Sequence, residues 1–155
     1  MTINASMVKE LRDRSGAGMM ECKRALVETD GNIEKAIEHL RKTGAAKAAK
    51  KAGRIAAEGK IIVVSDKDLT VMVEINSETD FVAKDSNFLK FCELVGETIM
   101  EQAPDSPESL LACTCSDGKA IEDKRLELIS VVGENIGIRR FVTEQTVGSA
   151  VLDSY

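Results

Sequence analysis

The apolar residues of this chain change their period part-way along it, and that change limits the folds open to it. Up to Gly44 they recur at helical spacing, first as Ile3, Met7, Val8 and Leu11, then as Cys22, Ala25 and Leu26, then as Ile33, Ala36, Ile37 and Leu40. Ser15-Gly16-Ala17-Gly18 breaks the first stripe from the second. Asp30-Gly31-Asn32 ends the second and caps the third, and Gly44 reads as the stop of the third. Each stripe needs the other two for burial, so the three short helices must pack as a small bundle.

From Gly44 to Gly59 the composition shifts to Ala-Ala-Lys repeats, with Lys47, Lys50, Lys51 and Arg54 set against the single acid Glu58. This stretch reads as a basic linker with high helix propensity. Beyond it the period falls to two. Ile61 to Ser65 and Thr70 to Asn76 are β-branched runs separated by Asp66-Lys67-Asp68, the pattern of an antiparallel hairpin with Val71, Val73 and Ile75 on one face. Asp85-Ser86-Asn87 then supplies N-cap residues for a helix striped by Phe88, Phe91, Cys92, Val95 and Ile99 and closed by Pro104 and Pro107. A short helical piece from Ser109 to Ala112, a helix from Lys119 to Val132 and a strand from Ile136 to Val142 complete the reading. The expected fold class is α+β: an N-terminal three-helix bundle over 1–44, a basic linker over 45–58, and an antiparallel sheet covered by helices on one side over 59–155.

Residue chemistry excludes more than it selects. The formal net charge of -5 is the wrong sign for a protein built to neutralise phosphates, so no direct nucleic-acid binding is expected; Lys47 and Lys50 read as a solvated helix face. No apolar run is long enough to span a bilayer and no secretion or transit pattern opens the chain, which makes the cytoplasm the expected location and a membrane an unexpected partner. Cys22 and Cys92 fall on apolar helix faces, where reduced thiols act as small hydrophobes. Cys113-Thr114-Cys115 lacks a second pair or a nearby histidine to complete a metal site, so neither metal nor cofactor is expected. His39 is the single histidine, no nucleophile has a base at motif spacing, and Gly16-Ala17-Gly18 follows a helix instead of a strand, so it reads as a turn and not as a phosphate cradle. No catalytic activity is expected.

Two places stand out against this background. Met19 and Met20 follow the glycine turn directly; adjacent helical side chains diverge by about 100°, so the small core cannot take both equally, and the pattern leaves open whether one is an exposed docking contact or both fill gaps. The second place is Asn76-Ser-Glu-Thr-Asp-Phe-Val-Ala-Lys84, between a strong strand and a capped helix. It puts a large aromatic, Phe81, in a connection, where it either folds back into the core or stands out as a wedge.

Two stretches resemble the signatures of the translation elongation factor Ts family, the nucleotide-exchange factors of elongation factor Tu. One runs from Leu11 through Arg-Asp-Arg-Ser-Gly-Ala-Gly-Met-Met-Glu-Cys-Lys-Arg-Ala to Leu26; the other is Glu74-Ile-Asn-Ser-Glu-Thr-Asp-Phe-Val-Ala-Lys84. Gly44-Ala-Ala-Lys-Ala-Ala-Lys-Lys-Ala-Gly53 and Gly133-Glu-Asn-Ile-Gly-Ile-Arg-Arg140 are similar to the family too, in the same order. The resemblance implies a ubiquitin-associated-like N-terminal domain that docks on the GTPase domain of GDP-bound elongation factor Tu through Arg12, Met19, Met20 and Lys23, with Lys51, Val132 and Gly133 as further contacts. It implies a magnesium-dislocating loop of Thr79, Asp80, Phe81 and Val82, in which Phe81 enters between two partner helices and Asp80 holds the loop. Members of the family continue into a second half of the core domain, and Gly148-Ser-Ala-Val-Leu-Asp-Ser-Tyr155 reads as the start of that continuation, so any homodimer would be expected only in a longer chain. The competing expectation is a ubiquitin-associated-type binding module without exchange activity, which has no use for an Asp-Phe wedge.

Overall fold

The computed structural model describes residues 3–66 and 68–145. Lys67 of the expected hairpin turn and the stretch from Gly148 to Tyr155 lie outside the described residues. The chain divides into two compact units. One runs to Gly53 and takes in Leu126–Glu134; the other comprises Arg54–Arg125 and the chain from Asn135 on.

In the first unit, α1 (Ala5–Ser15), α2 (Met19–Glu28) and α3 (Ile33–Lys51) form the expected bundle. Asn4 caps α1 by accepting the amide of Met7, and Asn32 caps α3 by accepting that of Lys35. Gly16, at φ 68°, ends α1 in the left-handed conformation that glycine adopts without strain, its amide donating to the Arg12 carbonyl. Leu11, Ala17, Cys22, Ala25, Leu26 and Ala36 make the buried core, with Ile3, Met7, Val8, Ile33, Ile37 and Leu40 packed around it.

Gly44 does not stop the third helix. α3 runs through it to Lys51, so the first half of the segment read as a linker is helical. A mid-helix glycine costs about 1 kcal/mol relative to alanine, but the Ala-Lys sequence that follows favours helix, and packing offsets the remainder. Gly44 is buried, and a side chain there would meet the Ser130 hydroxyl at 3.3 Å. The glycine allows a close approach instead of ending the element.

In the second unit, β1 (Glu58–Asp66), β2 (Leu69–Ser77) and β3 (Gly137–Gln145) form a three-stranded antiparallel sheet with β2 in the centre. Val71, Val73 and Ile75 lie fully buried on one face of β2. Against β1 and β2 packs α5 (Ser86–Gln102), capped by Asp85, with Phe88, Phe91, Cys92, Val95 and Ile99 turned inward. Gly96 sets the depth of this packing: a Cβ there would come within 2.6 Å of Val64 Cγ2 and 3.2 Å of Ile62 Cδ1. The other face leaves Ile61, Val63, Met72 and Val142 exposed, so among the described residues helices cover one side, as expected.

β1 and β2 run longer than the β-branched runs that mark them, and further boundaries differ from the sequence reading. α5 ends at Gln102, and Pro107 opens the next helix instead of closing this one: α6 (Pro107–Ala112) starts at a Ser106/Ser109 capping box with proline in its first turn. α7 (Ile121–Val132) begins two residues later than expected, and β3 extends to Gln145. All four cysteines are free thiols; Cys22, Cys92 and Cys115 are buried, and burial pushes the Cys92 thiol up to about 12.

Candidate functional site

After β2 the chain makes a single helical turn, α4 (Asp80–Ala83), not an open loop. Thr79 is its N-cap: the hydroxyl accepts the Val82 amide at 3.4 Å and the carbonyl accepts the Ala83 amide at 3.2 Å. The fully buried Ser77 donates its hydroxyl to the same Thr79 carbonyl at 3.0 Å. Asp85 closes the turn by donating its amide to the Val82 carbonyl, and its side chain starts α5.

The helical turn sorts its side chains. Val82 and Ala83 point inward and are buried, which obliges the residues before them to point out. Phe81 is 82% exposed, so the fold-back reading is excluded for this structure. Its neighbour Asp80 forms an ion pair with Lys84 one turn on, at 2.8 Å. The Lys84 ammonium, by hydrogen bond and by charge, holds the Asp80 carboxyl below the usual carboxylate range; Asp80 in turn raises Lys84.

A clip that the sequence did not reveal sits at the base of the turn. Glu78 Oε1 accepts the backbone amide of Asn135 at 2.6 Å and lies 3.5 Å from the Arg54 guanidinium. The Asn135 side-chain amide donates to the Arg54 carbonyl at 3.0 Å. These residues are far apart in sequence and carry no local pattern; the one signal was that Asn135 follows the Gly133 stop of α7, where a turn amide needs an acceptor.

In the first unit, Met19 and Met20 open α2 and are both exposed, at 59% and 65%. Neither fills a gap in the bundle core. Lys23, also exposed, lies one turn further on, within neighbour spacing of both. Arg12 is exposed on α1, and Lys51 is half-buried in the last turn of α3. Lys47 is not a lone solvated charge, since it pairs with Glu21 of α2. Val132 ends α7 half-buried, and Gly133, at φ 78°, caps it with an amide donated to the Ile129 carbonyl. His39 pairs with Glu28 at 3.1 Å. Among the described residues no group of His, Cys, Asp and Glu is placed to hold a metal ion, and no helix is long and apolar enough to cross a membrane.

The family model described as Elongation factor TS matches residues 78–155, beginning at Glu78. Among similar proteins, Elongation factor Ts of Thioalkalivibrio sulfidiphilus (strain HL-EbGR7) is 55% identical over 100% of this chain and 53% of its own length. Elongation factor Ts of Xylella fastidiosa (strain 9a5c) is 54% identical over 90% of this chain and 48% of its own. That of Alkalilimnicola ehrlichii (strain ATCC BAA-1101 / DSM 17681 / MLHE-1) is 51% identical over 97% of this chain and 52% of its own. The chain spans about half the length of the curated relatives it matches. With a family model over the second half and strong identity along its whole length, this chain belongs to the elongation factor Ts family.

Proposed function

We propose that this chain is a guanine-nucleotide exchange factor: it binds GDP-bound elongation factor Tu in the cytoplasm and speeds nucleotide release by mechanical displacement, with no chemical step of its own. The observation that carries this reading is the exposure of Phe81 on a turn whose other side is anchored in the core. In this reading the three-helix bundle over 1–44 is the ubiquitin-associated-like docking domain. Arg12, Met19, Met20 and Lys23 hold the partner's GTPase domain, with Lys51, Val132 and Gly133 as further contacts, and Thr79, Asp80, Phe81 and Val82 form the element that disturbs the nucleotide site.

The physics follows from what a GDP site requires. Bound GDP depends on backbone donors around its phosphates and on a magnesium ion that demands near-octahedral geometry, so small displacements of its ligands are costly. Burying the Phe81 side chain between two partner helices supplies about 1.5–3 kcal/mol, enough to hold those helices apart and shift the magnesium ligands. By reciprocity, the factor by which this chain lowers GDP affinity equals the factor by which GDP lowers the affinity of this chain. GDP and GTP are released alike, and nucleotide concentrations set the direction.

The test is the release rate of fluorescent GDP from elongation factor Tu at increasing concentrations of this chain, with Phe81→Ala alongside. Acceleration that the variant loses is the expected result; equal release with both proteins would overturn the wedge. A second reading, a ubiquitin-associated-type binding module without exchange activity, draws on the exposure of Met19 and Met20. It expects binding with no change in nucleotide release.

A further inference from the structure

We propose that Glu78 is a positioning residue for the Phe81 turn, and that the Glu78–Asn135–Arg54 clip aims the wedge by fixing the point where the chain leaves β2. This rests on the exchange reading above and assigns it a further residue. Glu78 lies between the last residue of β2, Ser77, and the N-cap of α4, Thr79. Whatever fixes the backbone at 78 therefore fixes the axis of the single turn that carries Phe81.

Local bonds alone leave that axis free. The Thr79 cap and the Ser77 hydroxyl hold the turn together internally and to its own strand, but both act within two or three residues. Burial of Val82 and Ala83 against β1 and β2 fixes one side of the turn, and Glu78 adds a long-range polar constraint at its base. Its carboxylate accepts from the Asn135 amide, 57 residues away, at 2.6 Å, and the negative charge on the acceptor strengthens the bond. Asn135 in turn holds the Arg54 carbonyl across 81 residues. The Glu78 side chain is only 21% exposed, so it is turned toward these partners while Phe81 is turned away. A carboxylate committed to a backbone amide inside its own unit acts on a partner through the turn it orients.

The experiment compares Glu78→Ala and Glu78→Gln, each with and without Phe81→Ala, in fluorescent-GDP release from elongation factor Tu. Losing a charge-assisted bond to a backbone amide is expected to lower the maximal release rate of Glu78→Ala about 5- to 10-fold, while the half-saturating concentration moves less than about twofold. Glu78→Gln keeps an acceptor for Asn135 and is expected to retain at least about half the wild-type maximal rate. The double variant Glu78→Ala/Phe81→Ala is expected to release GDP no more slowly than Phe81→Ala alone, since the clip acts through the wedge. A Glu78→Ala protein with the wild-type maximal rate, or a double variant slower than Phe81→Ala, would overturn the proposal. Amide hydrogen exchange on the free protein reads the clip without the partner. Faster exchange at Asn135 and Val82 in Glu78→Ala, reversed in Glu78→Gln, is expected, and unchanged exchange would overturn the clip even if exchange activity stood. Failure of the exchange reading itself shows separately, as equal release with wild type and Phe81→Ala.

Discussion

Met19 and Met20 on the first unit and Phe81 on the second are all exposed, and the chain holds the two groups differently. Met19 and Met20 stand at the start of α2, behind Gly18, which offers no side-chain cap, and on unbranched side chains with several rotatable bonds. Phe81 stands on a turn capped by Thr79, tied by Ser77, closed by Asp85 and clipped through Glu78, with its two following residues buried. The first arrangement suits a surface that adapts to its partner, the second a part that must arrive in one orientation. Ordering a flexible side chain on docking costs about 0.5–1.5 kcal/mol, which a contact surface can absorb, but a wedge that swivels transmits little force to what it enters.

This contrast can be broken most directly at Phe81. If the ring is a rigid wedge, Phe81→Ala should lower the maximal GDP release rate about 10- to 100-fold, the equivalent of the burial it forfeits, and Phe81→Leu should recover only part. Full recovery by leucine would make the site as tolerant as the methionines. At those positions the expectation is reversed. Met20→Ala should weaken binding about 3- to 10-fold with little change in maximal rate, while Met20→Leu, of similar volume, should bind almost normally in a titration. A smaller effect is expected from Thr79→Ala. The cap bond is long at 3.4 Å, so its loss should lower the maximal rate about 2- to 3-fold and leave affinity unchanged. Loss of affinity instead would mean that Thr79 is itself a contact.

The smallest effect concerns the Asp80–Lys84 pair. Because the Asp80 carboxyl is depressed, its stabilisation of the turn is present above the unfolded value of about 3.9 and is lost as pH falls through the folded value. Lys84 is raised, so its share is present below about 10.4 and is lost as pH rises through the folded value. Across the neutral range neither changes. An NMR titration of the Asp80 carboxyl should find its midpoint below that of a free aspartate, moving back up in Lys84→Ala; a midpoint that stays put would show that the pair does not form in solution.

How much of this was legible in the sequence depended on range. The bundle and the hairpin followed from period, because each stripe must face a core whatever lies elsewhere; Val71, Val73 and Ile75 on one strand face could not be arranged otherwise. Gly44 misled because a glycine reads as a stop only until something packs against it, and Ser130 lies far along the chain. The orientation of Phe81 was ambiguous by pattern, since an aromatic in a connection satisfies either reading. The burial of Val82 and Ala83 decided it. Glu78 was invisible as an orienting group because its partners are 57 residues away and, at Arg54, in the segment taken for a linker.

The exposure of Phe81 also governs which substitutions the chain can tolerate. Phe88, seven positions on and fully buried, is answerable to folding. Phe81 meets water in the folded chain almost as it does in the unfolded one, so the native state gains little from its identity. In a library of random variants sorted only for soluble, protease-resistant protein, position 88 would be narrowly restricted and position 81 nearly unrestricted. Sorted for growth that depends on exchange, both would narrow. On the exchange function proposed above, foldability and activity would be written at separate positions of one short segment, and selection could act on either alone.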